Sequence, residues 1–190
     1  MNDDNIDVTL QVIDALEALD ITYVIGGSLA STLHGVARTT LDSDLVADIK
    51  IEHIAAFVEK LQTAFYVSAP SILDAIIFQS SFNLIHLETM FKVDIFIPKS
   101  RLFDRSQLAN RTSVIVSHDP ERSAYVASAE DTILAKLEWY RMGDETSERQ
   151  WRDIIGVIRV QEGQLDIAYL REIAIDLKIS DLLERALTTL

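Results

Sequence analysis

Apolar positions over Ile6, Val8, Leu10, Val12, Ile13, Leu16 and Leu19 follow a mostly helical repeat that stops near Asp20, where a short β-type run, Thr22–Ile25, takes over. Two glycines follow, and Ser28–Leu33 reads as a helix starting directly after them. Leu45–Ile49 has the pattern of a second strand, and Ile54, Ala55, Phe57, Val58 and Leu61 restore a helical stripe. A weaker helix-like segment after Pro70 leads to two alternating runs, Phe82–Leu87 and Lys92–Ile97. The four residues between them and the terminating Pro98 predict an antiparallel hairpin. Val114–Val116 and Ala124–Val126 add short strands, and from Ala129 the signal is helical almost to the end. The fold class read from this order is α/β (α+β), with an α/β core over residues 1–127 and a helical part over 128–190. No Pro/Gly/Ser-rich linker separates the two, so they are expected to pack as one unit.

Composition supports a folded chain. With 190 residues, 48% of them hydrophobic, there is enough to build one full core, and six glycines and three prolines leave little room for long loops. Cysteine is absent, which excludes disulfides and thiolate metal sites. Charges interrupt every apolar run, so no membrane span is expected, and the chain reads as a soluble cytoplasmic protein. The net charge of -13 argues against a general polyanion binder. Its distribution is uneven: residues 1–100 hold 5 basic and 14 acidic side chains, residues 101–190 hold 12 and 16, and ten of those 12 are arginines. A local basic surface in the second half therefore stays open.

Candidate chemistry begins at the glycines. Gly26-Gly27-Ser28 between a strand and a helix lets the backbone approach a ligand closely, with N–H groups and the helix dipole turned toward an anion. Alone this is equally the sequence of a tight turn. Asp42 and Asp44, at i and i+2 beside a strand, turn their carboxylates to one face, where they repel unless a cation lies between them. An exposed acidic turn is the plainer alternative. Asp94 changes the balance, because Val93, Ile95 and Ile97 take one face of their strand and leave Asp94 on the other, in the middle of an apolar run. A half-exposed sheet face, or a local salt bridge with Lys92, would also account for it. Three carboxylates and a glycine-serine turn match phosphoryl-type transfer, in which Mg²⁺ takes oxygen ligands from carboxylates and substrate phosphates.

Gly26-Gly27-Ser28, Asp42-Ser43-Asp44 and Val93-Asp94-Ile95 resemble the Gly-Ser…Asp-x-Asp…Asp signature of the DNA polymerase beta-like nucleotidyltransferase superfamily. The longer run from Gly26 to Leu45 resembles the minimal nucleotidyltransferases and the abortive-infection toxin nucleotidyltransferases. Glu130-Asp131 with Lys136-Leu137, and Trp151-Arg152-Asp153-Ile154, fit later segments that such families often carry. The resemblance spans roughly residues 20–158. It implies a nucleotidyltransferase-type mixed sheet with flanking helices, and transfer of a nucleoside monophosphate from an NTP to a hydroxyl acceptor with release of pyrophosphate. It further implies Mg²⁺ or Mn²⁺ on Asp42, Asp44 and Asp94, with Asp94 helping to deprotonate the acceptor. Gly26, Gly27, Ser28, Arg38 and Lys136 are the nucleotide-binding candidates.

Bland alternatives stand beside several of these. Arg38 suits structural support of the aspartates slightly better than contact with the NTP, and Lys136 suits a solvated helix face as well as a phosphate contact. Asp153 with Arg152 reads as a polar lock beside Trp151; His34 and His86 read as packed or capping residues. Trp139, Tyr140 and Trp151, at helical spacing, read as core rather than as base-stacking groups. The acceptor is left open among RNA, protein and small molecules, an antibiotic or sugar phosphate included, and so are a cognate toxin or antitoxin and a homodimer. The competing reading is a non-catalytic interaction module, an antitoxin or assembly partner whose acidic surface covers a basic protein. No separate RNA-binding or zinc module is visible, nor the Arg-x₄-His motif of a partner nuclease.

Overall fold

Alternation along the strands sets the architecture, because it gives one sheet face to the core and leaves the other for chemistry. A computed structural model describes residues 3–35 and 42–189, so Arg38 lies outside the described residues. The first half runs α1 (Asp3–Glu17), β1 (Tyr23–Ile25), α2 (Gly27–Leu33), β2 (Asp42–Ala47), α3 (Ile54–Leu61), β3 (Phe65–Tyr66), α4 (Ala69–Phe78), β4 (Ser81–His86) and β5 (Lys92–Phe96). Then follow α5 (Leu102–Ala109), β6 (Thr112–His118), β7 (Glu121–Val126), α6 (Ala129–Met142), α7 (Glu148–Val160), α8 (Ile167–Asp176) and α9 (Ser180–Leu187). The strands form one mixed sheet in the order β3-β4-β5-β2-β1-β7-β6. β2 pairs parallel to β5 and β1 parallel to β7; the other neighbours are antiparallel. The expected α/β class with a helical C-terminal part is what the chain forms.

β2 begins at Asp42, three residues ahead of the Leu45 start that residue preference predicts. Register overrides preference here: β5 supplies a partner for each residue from Asp42 to Val46, with Asp42 opposite Lys92 and Asp44 opposite Asp94, so the acidic pair is drawn into the ladder. The β4–β5 hairpin forms as expected, closed by His86 N–H to the Phe91 carbonyl at 2.9 Å.

Two apolar clusters fill the molecule. One packs Val12, Ile13 and Leu16 of α1, Phe57 and Leu61 of α3 and Ile72 of α4 against Leu45, Ala47, Val93 and Ile95 of the sheet. The other lies among the C-terminal helices around Ile133, Leu134, Leu137, Ile154, Val157, Leu170 and Leu183, and it also takes in Phe103 of α5. Each such buried aliphatic contributes about 1.5–3 kcal/mol. Four serine and aspartate caps fix helix starts: Ser68, Ser128, Ser147 and Asp166 each accept a backbone N–H three residues on. Ser128 matters most for the site. Ala127 still pairs with β1 (N–H to the Ile25 carbonyl, 2.9 Å), so the Ser128 cap launches α6 beside the turn where β1 gives way to α2.

Candidate functional site

The turn after β1 is built around one carboxylate. Gly26 N–H bonds the Asp44 carbonyl at 2.9 Å, and Gly27 then takes a left-handed φ of 55°. A β-carbon on Gly27 would lie 1.8 Å from Asp44 Oδ2 and 2.6 Å from its Cγ, so no side chain fits there. The Ser28 backbone N–H hydrogen-bonds the same carboxylate. The glycine-serine turn expected to hold phosphate thus serves Asp44 in the protein alone, while α2 is stitched by Ser31 to the Gly27 carbonyl and Thr32 to the Ser28 carbonyl, both 3.1 Å.

Along β2, Ser43, Leu45 and Ala47 are buried in the sheet's core face, and Asp42, Asp44 and Val46 take the opposite face. On β5, Val93 and Ile95 go to the core and Lys92, Asp94 and Phe96 share the face of the aspartates. Cross-strand register lines these up in rungs: Asp42 with Lys92; Asp44 with Asp94 and, beyond it, Asn83; Val46 with Phe96 and Ser81. Burial pushes the Asp44 carboxyl up to about 6, and the neighbouring Asp42 and Asp94 charges add to the rise. The Ser28 N–H and the Lys136 charge oppose it.

Asp94 has its own counter-ion. Lys92 Nζ lies 2.7 Å from Asp94 Oδ2, which holds the lysine's proton more tightly than usual. The salt bridge weighed as the plain alternative for Asp94 therefore forms. Among the described residues, no three acidic or imidazole groups converge closely enough to hold an ion by themselves. The donor chemistry still fits a hard divalent cation that draws part of its shell from a substrate: two carboxylates on one face, one of them disfavoured as an anion by its neighbours, open to a cleft.

Lys136 is 8% exposed, so the solvated helix face is excluded. Its Nζ donates to Asp153 Oδ2 at 3.0 Å, inside a cleft wall formed by α6 and α7. Asp153 thus locks to Lys136, not to Arg152, whose Nε reaches back to the Glu148 carbonyl at 3.4 Å. His34 and His86 are packing and capping groups as expected: the His34 ring meets the Ala127 carbonyl at 2.7 Å and the His86 ring meets Thr89 Oγ1 at 2.9 Å.

A cleft of about 800 Å³ runs from Gly26, Gly27, Ser28, Asp42 and Asp44 past Lys136 and Asp153 to Phe96 and Trp139. Asp94 is not in its lining. Trp139 departs from the core assignment: it is 47% exposed, meets Phe96 edge-on at 5.7 Å, and lines the cleft, whereas Tyr140 is buried as expected. The difference is one step of helical rotation, about 100° per residue, which separates adjacent positions onto different faces. Arg101 was not singled out by sequence. It binds Asp104 at 2.6 Å and Glu138 with the rest of its guanidinium, so both carboxylates enter the cleft wall already paired. Phe96 was legible, being two residues past Asp94 on the same strand face.

No family model matches the chain, and no curated protein does. Solved structures do resemble it. An antigenic nucleotidyltransferase-like protein from Paracoccidioides brasiliensis superposes with a TM-score of 0.52 at 19% identity, over 90% of this chain and 91% of the other. The lincosamide antibiotic adenylyltransferase LnuA, solved with lincomycin, gives 0.51 at 18% identity over 80% and 95%. ANT(2'')-Ia, solved with adenylyl-2''-tobramycin, gives 0.58 at 12% over 88% and 94%. The chain has the nucleotidyltransferase fold. Among the described residues no helix is long and apolar enough to cross a membrane.

Proposed function

We propose that the protein is a divalent-metal-dependent nucleotidyltransferase that moves a nucleoside monophosphate from an NTP to a hydroxyl acceptor. The observation that carries this is the Asp44 site: a glycine that admits no side chain, a backbone N–H aimed at the carboxylate, and a second and third aspartate on the same sheet face. Asp42 and Asp44, with Asp94 beside them, would hold Mg²⁺ or Mn²⁺, which when bound neutralises phosphate charge and lowers the cost of the leaving pyrophosphate. In the transfer, the acceptor oxygen bonds to the α-phosphorus as the bond from that phosphorus to the bridging oxygen of the β-phosphate breaks. Lys136, kept in the cleft by Asp153, supplies positive charge toward the phosphates; Ser28 adds a donor. Asp94 receives the acceptor's proton, and the Lys92 contact would have to open for it to do so. Gly26 and Gly27 keep the turn free of side chains, and Arg38 remains a nucleotide-side candidate from sequence.

Incubation with each labelled NTP, Mg²⁺ or Mn²⁺, and RNA, protein and small-molecule acceptors tests this. Transfer is expected, and Asp42→Ala/Asp44→Ala should abolish it; full transfer by that double variant would overturn the assignment. LnuA and ANT(2'')-Ia share the fold with lincomycin and adenylyl-tobramycin bound, so a small hydroxyl compound belongs in the screen beside RNA and protein. A cytoplasmic place in a toxin–antitoxin pair is part of the proposal, tested by co-purification with the product of an adjacent gene.

One observation favours a second reading, a non-catalytic partner on the same fold: the Lys92 contact occupies Asp94, and among the described residues no three-ligand set converges. Calorimetry separates the two, since failure of all four NTPs to bind with Mg²⁺ supports the second reading.

A further inference from the structure

We propose that Phe96 and Trp139 form the nucleobase subsite of the cleft, where the ring of the bound nucleotide lies against an aromatic corner while its phosphates point to Ser28 and Lys136. The inference rests on the nucleotidyltransferase reading and assigns one part of that site. An exposed apolar patch rimmed by polar groups inside a cleft is the kind of surface that takes a ligand. Trp139 keeps nearly half its surface open, and Phe78 and Met142 of the same cleft are 74% and 62% exposed.

Position makes the corner suitable for a base. Trp139 follows Lys136 by three residues on α6, so the two side chains are neighbours on one helix face, Lys136 buried and Trp139 open. Phe96 follows Asp94 by two on β5 and faces Val46, which follows Asp44 by two on β2. The aromatic pair therefore sits one sheet rung, roughly 7 Å at about 3.4 Å per residue, beyond the aspartates. A nucleotide separates its charged phosphates from its flat ring by one sugar, and the cleft separates its charged and aromatic ends by a similar step. The rings meet at 67°, which makes two walls of a corner and not a closed stack. Charge fits as well. Two carboxylates of the cleft wall, Asp104 and Glu138, are both held by Arg101, which tempers their negative charge beside the ring. The cleft's lining does not include Asp94, so the nucleotide takes the cleft and Asp94's side is left for the acceptor.

Trp139 is its own probe. In Trp151→Phe protein it is the sole tryptophan, and its emission is followed during titration with ATP and, separately, with inorganic triphosphate, each with Mg²⁺. ATP is expected to quench it strongly and triphosphate to leave it nearly unchanged. Calorimetry on Trp139→Ala should show ATP binding weakened about tenfold, in line with the loss of one stacking partner. Triphosphate affinity should be unaltered, and Trp139→Phe should keep most of the ATP affinity. ATP binding with no change in Trp139 emission overturns the subsite, as does equal quenching by triphosphate or an unweakened Trp139→Ala protein. Absence of binding by any NTP overturns the nucleotidyltransferase reading itself, and this inference with it.

Discussion

On the sheet, Asp42, Asp44 and Asp94 share one face, and Lys92 is the one basic side chain on their rungs. In the helical part, Asp153 lies 3.0 Å from Lys136, Asp181 2.6 Å from Arg141 and Glu184 2.7 Å from Arg171. The same carboxyl group is thus spread out and matched in one region, clustered and largely unmatched in the other. Matched pairs at element junctions are structural devices. A cluster that raises its own proton affinity has a cost that the protein alone does not remove, and that cost is relieved when a cation arrives from outside. Asp131 is a buried departure in the helical part: burial raises its proton affinity, with the Tyr169 hydroxyl donating at 2.6 Å to one oxygen and the other making no hydrogen bond among the described residues.

The contrast breaks most clearly at Asp44, where activity and stability should move in opposite directions. Asp44→Asn should lower nucleotidyl transfer about 10²–10³-fold yet stabilise the chelator-treated protein. Because folding raises the Asp44 pKa from 3.8 to about 6, the native state holds the extra proton between those values. Stability of the parent therefore falls as pH rises through that window, and the full cost is present above about 6. The variant's advantage should be near zero at pH 4 and about 1–3 kcal/mol at pH 7, read by urea unfolding at both. An equal advantage at both pH values would sink the electrostatic cause.

In the helical part the sign reverses. Lys136→Met removes the ammonium that lies 3.0 Å from buried Asp153 and should cost about 3–5 kcal/mol, whereas Lys136→Met/Asp153→Leu should recover most of it. Thermal unfolding of the three proteins decides this. A single variant as stable as the parent would show that the pair is not a structural lock. Gly27→Ala should cost somewhat less, about 1–3 kcal/mol, from the left-handed φ and the collision with Asp44. Most of the collision should vanish in an Asp44→Gly background; additive effects in the double-mutant cycle would separate Gly27 from Asp44.

These residues also mark how far the sequence could be read. Period-two alternation placed Asp94 opposite its apolar neighbours, and the hairpin and helical stripes followed from local spacing. The meeting of Asp44 with Asp94 needed strand order, which joins β2 to β5 across some fifty residues that no local pattern connects. The same limit hid Arg101, whose partner Glu138 is on another element, and turned Asp153 toward Lys136 in place of its sequence neighbour Arg152. A glycine at position 27 signals room for phosphate, and only the packed turn reveals that Asp44 fills the space. Trp139 leaves the core: helical spacing gives periodicity but not the phase of the face that stays open.

Lys92 offers the smallest effect and the sharpest test of the contrast. Among the described residues it brings the three sheet aspartates nearest to the helical pattern, a lysine 2.7 Å from Asp94, but its side chain is 42% exposed. Solvent screens such a pair, so Lys92→Met should change stability by less than about 1 kcal/mol. Metal affinity should respond more, because removing the lysine frees Asp94 and deletes a positive charge facing Asp42. Free Mn²⁺ measured by paramagnetic resonance should show binding several-fold tighter in Lys92→Met than in the parent. Weaker binding would mean that Lys92 braces the ligand set, and the sheet carboxylates would then be matched in the same way as those of the helices.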